Sequence, residues 1–293
     1  LHDALPIYSQ EQLEKHWSNE WGSKILFSHG TSNSKGVAIL FTKGIQIEVG
    51  EVIKDPDGRY LKAEVKLNDE KYTLVNVYAP TRDKPSEQFD FMKNIQCMLG
   101  ASTYVNLIIG GDFNTTLNPN LDKKGGNPEN PCNYTRQIKS MCDSVDFINV
   151  WRVRNPEKHS FTWRQHKPLV QCRLDFWLIS EHLENIVEQV GIRAAIKTDH
   201  SLITLSLCQI GTAKRGRGLW KFNADLLKDK EYIAVLKTII DENRTDEANP
   251  GLLWDAIKCK IRGFPVAYSV KKKNDRIKLE NELNESLQGL DKQ

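Results

Sequence analysis

Two polar side chains end an almost wholly apolar stretch of the sequence. In the run LIIGGDFN, Asp112 and Asn114 follow a glycine pair and stand two positions apart. A side chain at the end of a strand is held by a stiff backbone, in the geometry that metal binding or water activation requires. The same pattern also serves as an ordinary turn or helix cap, so GDFN alone leaves both interpretations open.

Comparable polar positions stand at the edges of three other apolar runs. They are Asn76 and Tyr78 in LVNVYAP, Asp175 in RLDFWLIS, and Asp199 and His200 in TDHSLITL. A fold that joined these edges would assemble carboxylates, an imidazole, a phenol and an amide in one pocket. That set suits phosphodiester cleavage, in which a hard divalent cation neutralises phosphate charge and a carboxylate orients the attacking water.

Each of these residues also has a structural explanation. Tyr78 could pack its ring with its hydroxyl in water, and the Asp199–His200 pair could cap a turn. Asp175 is harder to explain in this way, because a carboxylate inside a buried run is unfavourable unless it is paired or functional. The joint pattern is therefore more specific than any single member.

The elements that must position these residues are mostly strands. GVAILFT (36–42), IQIEVGEVIKD (45–55), YLKAEVKLN (60–68) and YTLVNVYAP (72–80) have the pattern of an antiparallel meander, with a turn at PDG (56–58). Three further strands are predicted at HSFTW, CRLDFWLIS and SLITLSL. The run YVNLIIGGDFN is apolar throughout, which predicts a strand covered on both faces.

Two helices are predicted between these strands. PSEQFDFMKNIQCMLG (85–100) places Phe89, Met92, Ile95 and Leu99 on one face, and TRQIKSMCDSVDFINVW also has a helical pattern. Strands and helices in this arrangement predict a four-layer α/β sandwich, with two packed, mainly antiparallel sheets and outer helices.

The composition changes near residue 211. GTAKRGRG (211–218) is a glycine-rich basic linker, and residues 219–293 are helix-like and highly charged, so we expect a helical extension. The 293 residues carry 41 basic and 38 acidic side chains, a balance that does not by itself indicate a nucleic-acid partner. The six cysteines form no CxxC pair, and no run approaches the roughly 18 apolar residues of a membrane span, so we expect a soluble intracellular protein without structural zinc.

The motifs together resemble a known superfamily. VNVYAP, GGDFN, HSFTW, RLDFWLIS and TDHSLI, in this order and spacing, are similar to the endonuclease/exonuclease/phosphatase superfamily. The closer resemblance is to the apurinic-like endonuclease domain of the second reading-frame protein of LINE-type (non-LTR) retrotransposons. NEWGSKILFSHGTSNSKGVAILF and GLWKFNADLL are similar to that subgroup in particular. The resemblance implies a nuclease-like domain over residues 8–210 and a connector toward a reverse transcriptase over residues 219–293.

The resemblance also implies catalytic roles for the matched residues. Asp112 would position or deprotonate the attacking water, and Asn114 would bond the scissile phosphate as its charge develops. His200 would contact a phosphate oxygen, oriented by Asp175, and Tyr78 would contact the same phosphate.

Supporting and metal-binding roles follow in the same way. Thr162 and Asn76 would support the pocket, and Asp199 would face the metal, which is expected to be Mg²⁺ with Mn²⁺ as a substitute. The family's principal metal ligand is a glutamate, and Pro6 stands at its position here. We therefore expect an amino-terminally truncated chain whose residues 1–7 are foreign to the family.

Two functions of different classes are expected from these observations. The first is a metal-dependent DNA endonuclease that nicks target DNA and leaves a 3′-hydroxyl, within a nuclear protein that carries a reverse transcriptase and binds element RNA. The second is a catalytically dead remnant that retains at most weak nucleic-acid binding. A phosphatase acting on a small substrate is a third, less favoured function. No membrane association is expected.

Overall fold

The computed structural model divides the chain into two compact units, Leu1–Thr212 and Ala213–Gln293, which are described separately. The described residues are 14–30, 35–100, 104, 106–127, 132–193, 198–208, 222, 224–242 and 250–290. The predicted leader, the linker and Pro6 lie outside them, so the predicted domain boundaries stay predictions.

The first unit contains thirteen described strands and five described α-helices. The strands are β1 (Ile25–Ser28), β2 (Val37–Leu40), β3 (Ile47–Lys54), β4 (Tyr60–Leu67), β5 (Glu70–Tyr78), β6 (Leu107–Asp112), β7 (Lys123–Lys124), β8 (Phe147–Asn149), β9 (Trp163–His166), β10 (Leu169–Cys172), β11 (Asp175–Ser180), β12 (Val187–Arg193) and β13 (Leu202–Leu207). The helices are α1 (Glu14–Trp21), α2 (Pro85–Gly100), α3 (Pro119–Asp122), α4 (Asn133–Ser144) and α5 (Val150–Arg154), with a 3-10 helix at Glu181–Ile186.

A six-stranded sheet in the order β3-β4-β5-β6-β11-β8 forms the centre of the first unit. Its β5–β6 pair is parallel, with α2 between the two strands in the chain, and its other pairs are antiparallel. One face packs against α2 and α4 through a core that includes Val75, Ile109 and Phe176. The opposite face is covered by two separate hairpins, β1–β2 and β12–β13. The predicted mixed α/β class is confirmed.

A small sheet in the order β7-β10-β9 completes the described strands of the first unit. Strand β9 begins at Trp163, so the HSFTW segment contributes only its last residue to the predicted strand. The run GVAILFT also departs from the predicted meander, because β2 pairs with β1 and not with β3. Strand alternation cannot identify the partner strand, which is chosen by packing across the sheets.

Two helix predictions need correction. Phe89 is 58% exposed, whereas α2 buries Phe91, Met92, Ile95 and Leu99. Apolar residues three or four apart define two overlapping stripes in this helix, and Phe89 lies roughly 200° around the axis from Phe91. The second predicted helix ends at Ser144, and the apolar residues that follow form β8 and α5.

The second unit is helical over almost all of its described residues. It contains a 3-10 helix at Ala224–Lys228 and two α-helices, α6 (Lys230–Glu242) and α7 (Pro250–Leu290). Its core includes Leu226, Tyr232 and Tyr268. The predicted helical extension is therefore present. None of the helices in the described ranges has the length and apolarity that a membrane span needs.

Candidate active site

Strand register aligns three of the predicted site residues in one row across the central sheet. Tyr78 at the end of β5 pairs with Asp112 at the end of β6, and Asp112 pairs with Asp175 at the start of β11. Register partners project to the same face of a sheet, so the three side chains lie side by side. Asp112 is 4% exposed and Asp175 is 6% exposed. Two carboxylates are thus held in neighbouring positions with little access to water.

His200 joins the two carboxylates from the segment before β13. Its Nδ1 lies 2.9 Å from Oδ2 of Asp175, as the predicted orienting pair requires. Asp112, Asp175 and His200 each offer a ligand atom, and these atoms all lie within 4.8 Å of one another.

Thr162 fixes the backbone on which Asp175 stands. Its hydroxyl oxygen accepts hydrogen bonds from the backbone N–H groups of Leu174 and Asp175, at 2.9 and 3.0 Å. Its own carbonyl accepts from the N–H of Ser201, the residue after His200. Thr162 therefore ties both halves of the Asp175–His200 pair to one fully buried residue.

Asn114 holds the carboxylate of Asp112 from the turn after β6. Its backbone N–H donates to Oδ1 of Asp112 at 2.8 Å, and its Nδ2 donates to Oδ2 at 3.0 Å and to the carbonyl of Ala79 at 2.8 Å. This geometry uses a φ of 49°, which asparagine tolerates better than most residues. Both hydrogens of the Asn114 amide are committed inside the protein, so the predicted contact with the scissile phosphate stays a prediction.

Asn76 lies one row below the site, beside Gly110 and Trp177. Its Nδ2 donates to the carbonyl of Ala38 in β2 at 2.9 Å, which links the central sheet to the hairpin above it. The indole of Trp177 lies directly over Gly110, where an added Cβ would come within 2.1 Å of the ring. Asn76 thus supports the site through the packing of the sheets.

Asp199 is exposed and lies outside the three-residue group. Its Oδ2 accepts a hydrogen bond from Nε1 of Trp163 at 2.9 Å. Sequence reasoning singled out Thr162 but missed Trp163, although the first residue of a strand after an inward-facing threonine is expected to face outward.

Sequence reasoning also missed a buried ion pair next to Asp175. Arg173 is fully buried and donates from Nε and Nη2 to the two carboxylate oxygens of Asp122, at 2.8 and 3.0 Å. Asp122 is fully buried as well, and it also accepts from Arg152. An arginine inside an otherwise apolar run was the available signal, since a buried charge needs a partner.

Sequence reasoning also did not single out Arg59, which lies against Tyr78. Its guanidinium carbon is 5.4 Å from the centre of the Tyr78 ring, and its Nη2 donates to Glu87 at 2.9 Å. The ring of Tyr78 is thus packed against a cation that is itself paired.

Comparison with known proteins identifies this arrangement. The sequence model of the Endonuclease/Exonuclease/phosphatase family matches residues 3–200, and the match begins inside the predicted leader. The chain belongs to this family. Nucleases of the family use divalent metal ions and bind DNA, and Asp112, Asp175 and His200 form a possible metal site here.

The chain is similar to one much longer transposon protein. It is 32% identical, over 230 residues and 77% of its length, to the transposon TX1 uncharacterized 149 kDa protein of Xenopus laevis. The chain spans only 17% of that relative.

Two solved structures share the family fold with this chain. An AP endonuclease from Leishmania major has a TM-score of 0.53 at 15% identity, covering 64% of this chain and 71% of its own. An AP endonuclease from Archaeoglobus fulgidus also has 0.53, at 17% identity, covering 68% and 84%. At these identities the similarity shows the fold alone.

The electrostatics of this family site are those of crowded acidic side chains around one imidazole. Burial, and then the charge of Asp175, raises the pKa of the Asp112 carboxyl to about 8 against the opposing effect of His200. Burial lowers the pKa of His200, but the hydrogen bond and charge of Asp175, with the charges of Asp112 and Asp199, outweigh it and raise the pKa to about 9. At neutral pH the metal-free site therefore holds a cationic His200 imidazole and an Asp112 carboxyl that is largely protonated.

The donor set fits a divalent cation. Two buried carboxylates in adjacent register positions repel each other, which a bound cation or a proton would relieve. Carboxylate oxygens suit a hard ion such as Mg²⁺, and an imidazole nitrogen is more acceptable to Mn²⁺.

Proposed function

We propose that the chain is the endonuclease domain of a retrotransposon protein, which hydrolyses a DNA phosphodiester with a divalent cation and leaves a 3′-hydroxyl. The observation that carries the proposal is the row of Asp112 and Asp175, completed by His200 at 2.9 Å from Asp175. Oxygen donors for a cation, a fixed carboxylate and an imidazolium are thereby present within a few ångströms. These are the parts that phosphodiester hydrolysis needs.

His200 provides the positive charge that faces the phosphate. Its hydrogen bond to Asp175 fixes the ring and raises its pKa to about 9, so the imidazolium persists at neutral pH. Negative charge that develops on the phosphoryl oxygens is stabilised by such a preorganised donor.

Asp112 is the residue that orients the attacking water. Both its oxygens are held by Asn114, so the side chain presents one fixed geometry. A bound cation would lower the pKa of about 8 that Asp112 has without metal and would leave it a carboxylate at neutral pH. Tyr78, its register partner, supplies a phenol on the same face.

The carboxylates of Asp112 and Asp175 would hold the cation, with Asp199 at the edge of the group, and His200 would face the phosphate as an imidazolium beside them. When bound, a divalent ion supplies Lewis-acid polarisation of the phosphoryl oxygen. We propose Mg²⁺ as the ion, with Mn²⁺ able to replace it, because most donors are carboxylate oxygens.

The proposed partners rest on the resemblance to retrotransposon proteins, and a transposon relative much longer than this chain supports them. DNA is the substrate, and the full-length protein would carry a reverse transcriptase, bind element RNA and act in the nucleus. A 3′-hydroxyl left by the nick would then prime reverse transcription.

Nicking of supercoiled plasmid by this chain, in Mg²⁺, Mn²⁺ or EDTA, tests the proposal. His200→Ala should lower the nicking rate by about 10²–10³-fold, because it removes a transition-state contact. His16→Ala is the matched control, since His16 is exposed on α1 and 63% of its side chain is accessible. Extension of the nicked strand by a DNA polymerase tests for the 3′-hydroxyl.

Two results would contradict the endonuclease proposal. Nicking that survives EDTA or the His200→Ala substitution would exclude this site as its source. Plasmid binding without nicking would instead support the non-catalytic alternative, which Pro6 at the expected glutamate position favours.

A further inference from the structure

The carboxylate of Asp199 is held in place although it lies at the surface. Nε1 of Trp163 donates to its Oδ2 at 2.9 Å, and the backbone N–H of Arg164 donates to its carbonyl at 3.1 Å. Its Oδ1 has a long contact of 3.5 Å from Oγ1 of Thr198. An exposed aspartate usually keeps its rotamer freedom, so a fixed one needs a partner such as this indole.

Trp163 is also bound to the neighbouring histidine through the backbone. It pairs with Cys172 on one side, and on the other side it forms an antiparallel bridge with His200. A single residue therefore contacts both members of the Asp199–His200 pair, one through its side chain and the other through its main chain.

Thr162, the residue before Trp163, holds the second aspartate, Asp175, on the buried side. Successive side chains of an extended segment point in opposite directions. Thr162 is directed inward and accepts from the N–H of Asp175, while Trp163 is directed toward Asp199. Two consecutive residues thus fix the two aspartates that flank His200.

We propose that Trp163 is a positioning residue of the active site, whose indole N–H holds the Asp199 carboxylate beside His200. The inference rests on the proposed endonuclease function. A hydrogen bond to an ionised acceptor is among the stronger ones in proteins, and it occupies one of the two oxygens. Asp199 can then offer only its second oxygen to a cation or to water, with the orientation set in advance.

Packing is the competing explanation, and one substitution separates it from positioning. Trp163→Phe keeps an aromatic ring on the strand and removes the N–H donor. Trp17→Phe is the matched control, because Trp17 lies on α1 and is 37% exposed.

Indole N–H resonances of the full chain provide a readout that does not depend on activity. In a ¹H–¹⁵N spectrum, Trp163→Phe assigns the Trp163 resonance by its loss. Asp199→Ala should then move that resonance upfield and leave the Trp17 resonance in place. An unchanged Trp163 resonance in Asp199→Ala would show that the hydrogen bond is not formed, and it would overturn the inference.

The nicking rate tests the consequence of the hydrogen bond. Trp163→Phe should lower the rate by about 10-fold or more, whereas Trp17→Phe should match the wild type. Equal rates for Trp163→Phe and the wild type would overturn the positioning role. If the wild type does not nick DNA, the proposed function fails, and the indole spectra alone decide whether Trp163 holds Asp199.

Discussion

Replacement of Thr162 by valine removes one oxygen atom at the centre of the site without changing the shape of the side chain. That oxygen accepts from two backbone N–H groups, those of the half-buried Leu174 and the buried Asp175. Each donor left without an acceptor costs about 1–3 kcal/mol, so Thr162→Val should lower the free energy of unfolding by about 2–6 kcal/mol. Thr162→Ser keeps the oxygen and loses one methyl group, for which about 1 kcal/mol is expected.

Urea unfolding of the two variants, followed by tryptophan fluorescence in metal-free buffer, measures this difference. Hydrogen exchange locates it, since the amides of Leu174 and Asp175 should lose protection in Thr162→Val and keep it in Thr162→Ser. The reasoning is refuted if the valine variant is as stable as the serine variant, or if those two amides stay protected in both.

Three further outcomes are expected. Phe91→Ala should lower the free energy of unfolding by about 3–5 kcal/mol and Phe89→Ala by less than about 0.5 kcal/mol, because only Phe91 is buried. Similar urea midpoints for the two variants would contradict this and would favour the predicted helix face that includes Phe89. Asp122→Ala should cost about 3–5 kcal/mol by leaving the buried guanidinium of Arg173 unpaired, and a calorimetric melting temperature equal to that of the wild type would contradict this. The pKa of His200 is raised to about 9, so its stabilising contribution is complete below its unfolded value near 6.5 and is lost as the pH rises through 9. In metal-free wild type the contribution of His200 should thus fall by about 1 kcal/mol per pH unit across that range, in addition to the loss below pH 8 that the raised pKa of Asp112 causes, and urea titrations at several pH values should show a shallower loss for His200→Gln.

The sequence alone predicted where the site residues stand along their strands, because each one interrupts an apolar run. It could not predict that Tyr78, Asp112 and Asp175 share one row. Register is set by pairing between segments far apart in the chain, and a shift of one residue would have moved a side chain to the other face. The convergence was therefore a hypothesis that needed the fold.

The residues that sequence reasoning missed bind and position other side chains of the protein; they are not placed to contact a substrate. Trp163 holds Asp199, and Arg173 pairs with Asp122, in both cases through contacts between distant segments. A single sequence gives no spacing rule for such pairs. Phe89 was misplaced for a different reason, because apolar residues three and four apart mark two overlapping stripes on the same helix.

The strand pairing has a consequence for the order in which the candidate site is assembled during synthesis. Strand β6 carries Asp112, but its antiparallel partner β11 and the segment with His200 are synthesised much later. A ribosome adds about 5–20 residues per second, so a nascent chain carries Asp112 for seconds before Asp175 and His200 emerge. Products that terminate before residue 200 would carry carboxylates of the candidate site without its imidazole. The candidate site is therefore completed only when the chain has been made at least as far as His200.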